Sequence, residues 1–204
     1  MGIVSPNRPA AITGKIFSKK WIQMARYIII DDHGIYFTTH TVVEWLPIFR
    51  EKRYFEIIVE SLKYCQDKKG LLVFGYVIML THFHLIAQTE EDGRFQDVMR
   101  DMKKFTSKAI SSQLERDGQN LSLYVFKKAA ENEKGKRKYK VWQDEYHPKI
   151  IYTDAVCRQK LRYMHDNPVR KGFVKKPEFW LYSSAMNYIL DDNSVLKVEL
   201  LPML

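Results

Sequence analysis

The sequence predicts a mixed α/β fold of the α+β kind, and three observations predict it. Runs rich in β-branched and aromatic residues stand at 35–43, 71–79 and 82–88. Segments with apolar residues at helical spacing stand at 53–68, 94–116 and 154–165. Turn-forming residues punctuate the boundaries between them, so strands and helices alternate along one chain.

The bulk properties narrow the class. A length of 204 residues suits one domain with appendages, and a 46% hydrophobic fraction supplies a core. The formal charge of +9 and a pI near 9.4 favour a polyanionic partner. Cys65 and Cys157 both fall in expected helices, which suits reduced thiols in a cytoplasmic protein rather than a disulfide framework. No uncharged apolar run reaches the roughly 18 residues a membrane span needs, and the N-terminus has no signal-peptide core.

Taken in order, residues 1–23 are broken by Pro6, Pro9 and Gly14 and read as an extension, with Met24 as the expected native start. The domain is expected over 24–190 and a tail over 191–204. Ile28–Ile30 stops at the turn signal Asp31-Asp32-His33-Gly34. Ile35–Val43 then reads as a strand. His40 within it reads as a surface polar group, with an edge or active-site role as the alternative. Phe55, Ile58, Val59, Leu62 and Cys65 make one apolar helix stripe that Gly70 ends. Leu71–Met79 reads as a strand, joined to the next by a hairpin or bend.

The helix at 94–116 carries a stripe of Phe95, Val98, Met99, Met102, Phe105, Ala109 and Ile110. Arg94, Arg100, Lys103, Lys104 and Lys108 put charge elsewhere on it, as a solvated face or as a phosphate-binding surface. After a short apolar patch at Leu121–Phe126, Lys127–Lys138 reads as a polar loop or frayed helix. Its cationic end, Lys136, Arg137 and Lys138, is a candidate phosphate clamp. Lys149–Tyr152 reads as a short extended run, and Thr153 or Asp154 as a helix cap. In the helix that follows, Cys157, Leu161 and Met164 share a stripe, and Asn167-Pro168 is expected to end it. Arg170 and Lys171 continue into a basic turn. Trp180, Leu181, Tyr182, Met186 and Tyr188 suggest a C-terminal segment packed back on the domain. Its end covers a sheet edge or contacts a second copy.

Two features carry chemistry. In a strand, His82 and His84 project from one face, while Phe83, Leu85 and Ala87 project from the other, where a helix can cover them. Two imidazoles on one face form half of a divalent-metal site, or a merely polar strand. Tyr163 lies off its helix stripe and need not be buried. Asn167 follows it by one turn.

Together these features resemble the single-tyrosine HUH transposases of small insertion sequences, especially the REP-associated tyrosine transposases. The matching stretches are Gly75–Ile86 (GYVIMLTHFHLI), Trp142–His147 (WQDEYH) and Tyr163–Val174 (YMHDNPVRKGFV). Trp180–Ser184 extends the match, which covers roughly residues 25 to 190. Family members often carry Pro and Asn before the first histidine. This chain has Leu80 and Thr81 there.

The resemblance implies a ferredoxin-like sandwich with a central antiparallel sheet and packed helices. It implies that His82 and His84 hold Mg²⁺ or Mn²⁺, with Asn167 as a third polar ligand and Tyr163 as nucleophile. The implied reaction cuts single-stranded, hairpin-bearing DNA, forms a 5′-phosphotyrosine and releases a 3′-OH that can later rejoin. Relatives act as monomers or as homodimers. The alternatives are a non-catalytic nucleic-acid-binding protein on this fold, or a relaxase-like or replication-initiator-like nicking enzyme.

Overall fold

The computed structural model describes residues 34–90, 94–131, 137–144 and 148–201. The extension, the strand expected from Ala25 to Ile30, and Lys136 lie outside them. Among the described residues, four strands form one sheet: β1 (Tyr36–Thr41), β2 (Leu71–Ile78), β3 (His82–Thr89) and β4 (Lys149–Ile150). Five helices among the same residues accompany them: α1 (Lys52–Lys69), α2 (Phe95–Arg116), α3 (Asn120–Glu131), α4 (Asp154–Arg170) and α5 (Ala185–Leu190). The strand order is β2-β3-β1-β4, and every pairing is antiparallel. With α1 between β1 and β2, and α2 between β3 and β4, this is the βαββαβ order of a ferredoxin-like sandwich.

Each face of the sheet buries its own cluster. Tyr36, Val73, Phe83, Leu85 and Ala87 pack with the stripes of α1 and α2. Tyr36 and Phe95 stack with ring centroids 5.1 Å apart. On the other face, Phe37, Val77 and Ile86 pack under Cys157, Leu161 and Met164 of α4. A strand that buries both faces loses the polar alternation of a half-exposed strand, which is why β2 and β3 read as nearly continuous apolar runs.

Three expectations need correction, and one open alternative is decided. Phe105 is 61% exposed, and Thr106 holds the buried position instead. Its hydroxyl donates to the Met102 carbonyl at 2.8 Å and accepts from the Trp142 indole N–H at 3.0 Å, so a polar residue is satisfied inside. His40 is buried, not on the surface. It lies on the α1/α2 side of β1, stacked on Phe83 at 4.3 Å with Nε2 3.1 Å from the Thr38 hydroxyl. Residues 127–131 complete α3, the helical of the two alternatives for this stretch. Helix α4 runs through Pro168 to Arg170. Proline removes only one N–H near the end, and the actual stop is Gly172 at φ +73°, where Phe173 N–H reaches back to the Pro168 carbonyl at 2.9 Å.

Three local features set up the site. Thr153 caps α4, accepting from Val156 N–H at 3.3 Å. A 3-10 turn at Val43–Trp45 leaves β1 with Glu44 and Trp45 both left-handed, at φ +53° and +52°. The C-terminal segment lies along the outer edge of β2: Ile78 N–H donates to Tyr182 O, Ser184 N–H to Tyr76 O and Glu199 N–H to Val73 O, at 2.8–2.9 Å. Leu196 and Val198 are buried with it.

Gly75 sits at a register shift in β2, directly beneath α4. A Cβ there would lie 2.6 Å from a Leu161 methyl and 2.9 Å from the Met164 methyl. The helix can therefore approach the sheet this closely only over a glycine. We expect Gly75→Val to lift α4, cost about 1–3 kcal/mol of stability and separate Tyr163 from β3. Urea unfolding measures the first effect. Unchanged stability would mean that α4 does not depend on this approach.

Candidate active site

Register builds the site. Thr41 pairs with His82 and Thr39 with His84, and directly opposed residues of an antiparallel pair share a face. Both histidines therefore face α4, as their spacing predicts. Their ring centroids are 4.8 Å apart, and the His84 and Tyr163 rings are 5.5 Å apart. The structure thus brings together three residues separated by nearly half the chain. Phe37 stacks on His84 at 5.3 Å and meets Tyr163 edge-on at 6.5 Å, forming the floor between them.

Each imidazole is oriented by a threonine. The Thr39 hydroxyl lies 2.8 Å from His84 Nδ1, and the Thr81 hydroxyl 2.9 Å from His82 Nδ1. With Nδ1–H donating to the threonine oxygen, the free lone pair of each ring is on Nε2. The buried His84 Nε2 has no partner among the described residues, nor has the buried Nδ2 of Asn167. Buried polar atoms left without a partner in this way are costly. Thr81 thus supplies an oxygen to the first histidine.

Burial, aided by neighbouring charge, keeps the pair neutral. Burial lowers His82 to about 4, with help from the Lys171 ammonium. Burial, then His82, then Lys160 lower His84 to about 3. Lys160 sits one turn before Tyr163, its ammonium 5.0 Å from the Phe37 ring centre. Burial also lowers the pKa of Lys160 itself, with Lys149 adding to the effect. Arg170 lies over the Tyr163 ring at 5.7 Å. Two cations on α4 therefore flank the tyrosine. Since Lys160 acts on His84 and Lys171 on His82, Asn167 occupies the stretch of α4 that passes the histidines. Tyr163 is 41% exposed, so its hydroxyl can meet a substrate from solvent.

The other basic candidates are placed elsewhere. Arg94, Arg100, Lys103, Lys104 and Lys108 belong to α2 or its cap, on the opposite face of the sheet. Arg94 and Arg100 pair with Asp97, and Lys103 donates to the Gln143 carbonyl at 3.2 Å. Lys104 and Lys108 are exposed. Arg137 is exposed, and Lys138 pairs with Glu115 at 2.7 Å. Among the described basic candidates, only Arg170 and Lys171 stand beside the histidines and tyrosine. Lys160, Thr39 and Phe37 were missed. Lys160 has a helical signal, three residues before Tyr163, whereas Thr39 and Phe37 join the site through strand register. Among the described residues no three His, Cys, Asp or Glu side chains cluster.

The lowered values make a prediction. An unfolded chain binds a proton at each histidine near the ordinary imidazole value of 6.5, whereas the folded chain binds them only near 4 and 3. Their neutral burial thus contributes full stability above that value, and the contribution falls as pH drops through this window. Ring resonances of His82 and His84 should stay flat from about pH 8 to pH 5 in NMR titrations. Midpoints near the unperturbed value would contradict the burial described here.

Comparison with protein-family models and with curated proteins returned no match. Among solved structures, the chain is similar to a REP-associated tyrosine transposase bound to a REP hairpin, with a TM-score of 0.55 and 18% identity. The match covers 86% of this chain and 96% of that one. Among the described residues no helix is long and apolar enough to cross a membrane. The chain therefore shares the fold of that transposase, the same fold type that its sheet order displays.

Proposed function

We propose that this protein cuts and rejoins single-stranded, hairpin-bearing DNA through a covalent bond to Tyr163, with a divalent metal. The observation that carries the reading is the meeting of an accessible tyrosine with two neutral histidines, 5.5 Å from the nearer ring, on a basic helix. The fold shared with a transposase bound to a hairpin supports it.

The residues fit a metal. His82 and His84 offer imidazole nitrogens, His84 Nε2 is buried without a partner, and Asn167 can offer its amide oxygen. Mg²⁺ and Mn²⁺ favour oxygen, so phosphate and water would complete such a set. When bound, the ion supplies charge stabilisation at a nonbridging phosphate oxygen. The chain's own groups do the rest. Arg170 over the Tyr163 ring and Lys160 one turn before it place positive charge where the phosphate would sit. The Tyr163 oxygen attacks phosphorus, the O–P bond forms, and the bond to the 3′ oxygen breaks. The leaving oxygen takes a proton and departs as a 3′-OH. A later 3′-OH reverses the step and rejoins the strand, so no external energy source is required. Since one chain contributes both histidines and the tyrosine, a single copy can complete this chemistry.

The decisive experiment uses a hairpin strand labelled at both ends, incubated with Mg²⁺ or Mn²⁺ and denatured without proteolysis. The downstream fragment should remain on the protein through its 5′-phosphate, and the upstream one should leave with a free 3′-OH. Tyr163→Phe should bind but form neither product. His82→Ala and His84→Ala should lose metal-dependent cleavage while staying folded. Cleavage without an adduct would identify a metal-water nuclease. Binding with no cleavage at all would identify a binding protein.

A second prediction concerns the threonine behind His84. Thr39→Val keeps shape but removes the partner of Nδ1. It should weaken metal affinity about 10-fold or more, measured by Mn²⁺ titration, while Thr39→Ser retains most of it. Equal affinities in all three proteins would show that Thr39 does not orient the ring.

A further inference from the structure

The turn that follows β1 holds a feature that the cleavage chemistry does not use. Glu44 and Trp45 are consecutive non-glycine residues in the left-handed region, at φ +53° and +52°. Such a conformation is unfavourable for an L side chain, and doubly so in sequence. It persists here because the surroundings over-determine it. Val42 N–H donates to Thr81 O at 2.9 Å, Val43 N–H to Val141 O at 2.8 Å, and Trp45 N–H to Val42 O at 3.0 Å. Val43 is buried in the core beside them.

The product of this strain is an exposed tryptophan. Trp45 is 57% exposed, and its ring meets His82 edge-on at 5.6 Å. Ordinary packing would hide such a ring, and an ordinary turn would carry glycine or asparagine at these positions. Backbone strain that ends in an exposed aromatic beside a candidate catalytic group is a sign of a built contact surface. The chemistry of the surface selects its ligand. Indole offers a flat π face and one N–H, with no positive charge, and the neighbouring Glu44 carboxylate disfavours a phosphate. A planar, uncharged, unpaired base fits.

We propose that Trp45 is a stacking platform for one unpaired base of the single strand, beside the phosphate that Tyr163 attacks. The platform rests on the single-strand cleavage reading and deepens it. Trp45 fixes which phosphate enters the site, because a stacked base sets the path of its own backbone. It is a positioning residue and touches no reacting atom. Stacking on aromatic side chains tolerates any base, so the platform sets position more than sequence.

The test separates this role from catalysis. Hairpin strands carrying a single 2-aminopurine at successive positions are bound to the full chain without divalent metal. One position next to the cleavage point should be quenched several-fold in the wild type, and Trp45→Leu should restore its fluorescence. Trp45→Leu should bind the strand about 5- to 100-fold more weakly and blur the cleavage position, while Trp45→Phe keeps most of both. Thermal unfolding of the variants should match the wild type or exceed it, which a merely structural tryptophan would not allow. If the wild type binds no hairpin strand, the cleavage reading falls and the platform with it. If it binds and cleaves, but no position is quenched or Trp45→Leu binds and cuts as the wild type does, the platform alone is overturned.

Discussion

The seating of α4 on the sheet is the constraint on which the rest depends. Neither histidine is unusual by itself, and a tyrosine on a helix is ordinary. They become a constellation because Leu161 and Met164 descend into the space that Gly75 leaves without a side chain. Beside that contact, His165 Nε2 meets the Ser184 hydroxyl at 2.9 Å, and that hydroxyl also accepts from Tyr76 N–H at 3.0 Å. The apolar contact sets the height of the helix, and the polar contact restricts its rotation. Together they decide which residues of α4 look at β3.

Charge is divided between the two faces of the molecule. The net charge of +9 suggested a broad cationic surface. At the start of α2, Arg94 and Arg100 are instead paired with Asp97 and Asp101, and Asp101 also ties Lys69 of α1. Exposed pairs of this sort contribute little stability, and they also lower the field a phosphate would meet. Around α4 the cations face aromatic rings rather than acids. Lys160 stands over Phe37 and Arg170 over Tyr163. Their charge therefore remains available to an anion.

How much of this was legible in the sequence follows from the range of the forces involved. The stripes of α1 and α4, the shared face of His82 and His84 and the off-stripe place of Tyr163 are set by local periodicity. They could be read directly. Phe105 and Thr106 were exchanged because a polar residue inside depends on a partner, Trp142, that lies far along the chain. Pro168 looked like a helix end because its lost hydrogen bond is a local fact, while the neighbours that tolerate it are not. His40 looked like surface because one alternation pattern does not say which face of a two-sided sheet is covered. Thr39 joins the site only through the pairing of β1 with β3, and no periodicity within one strand reveals its partner's register.

The C-terminal segment beside β2 has a consequence for how copies of this chain meet. A free strand edge exposes unpaired N–H and carbonyl groups and so acts as a template for another chain. Here the Tyr182–Ser184 backbone and Glu199 already occupy those groups on β2, and they do so from within the same molecule. Sheet-to-sheet growth from that side would first require the C-terminus to peel away, taking buried Leu196 and Val198 with it. The last stretch of chain therefore works as a guard against polymerisation as well as a part of the core.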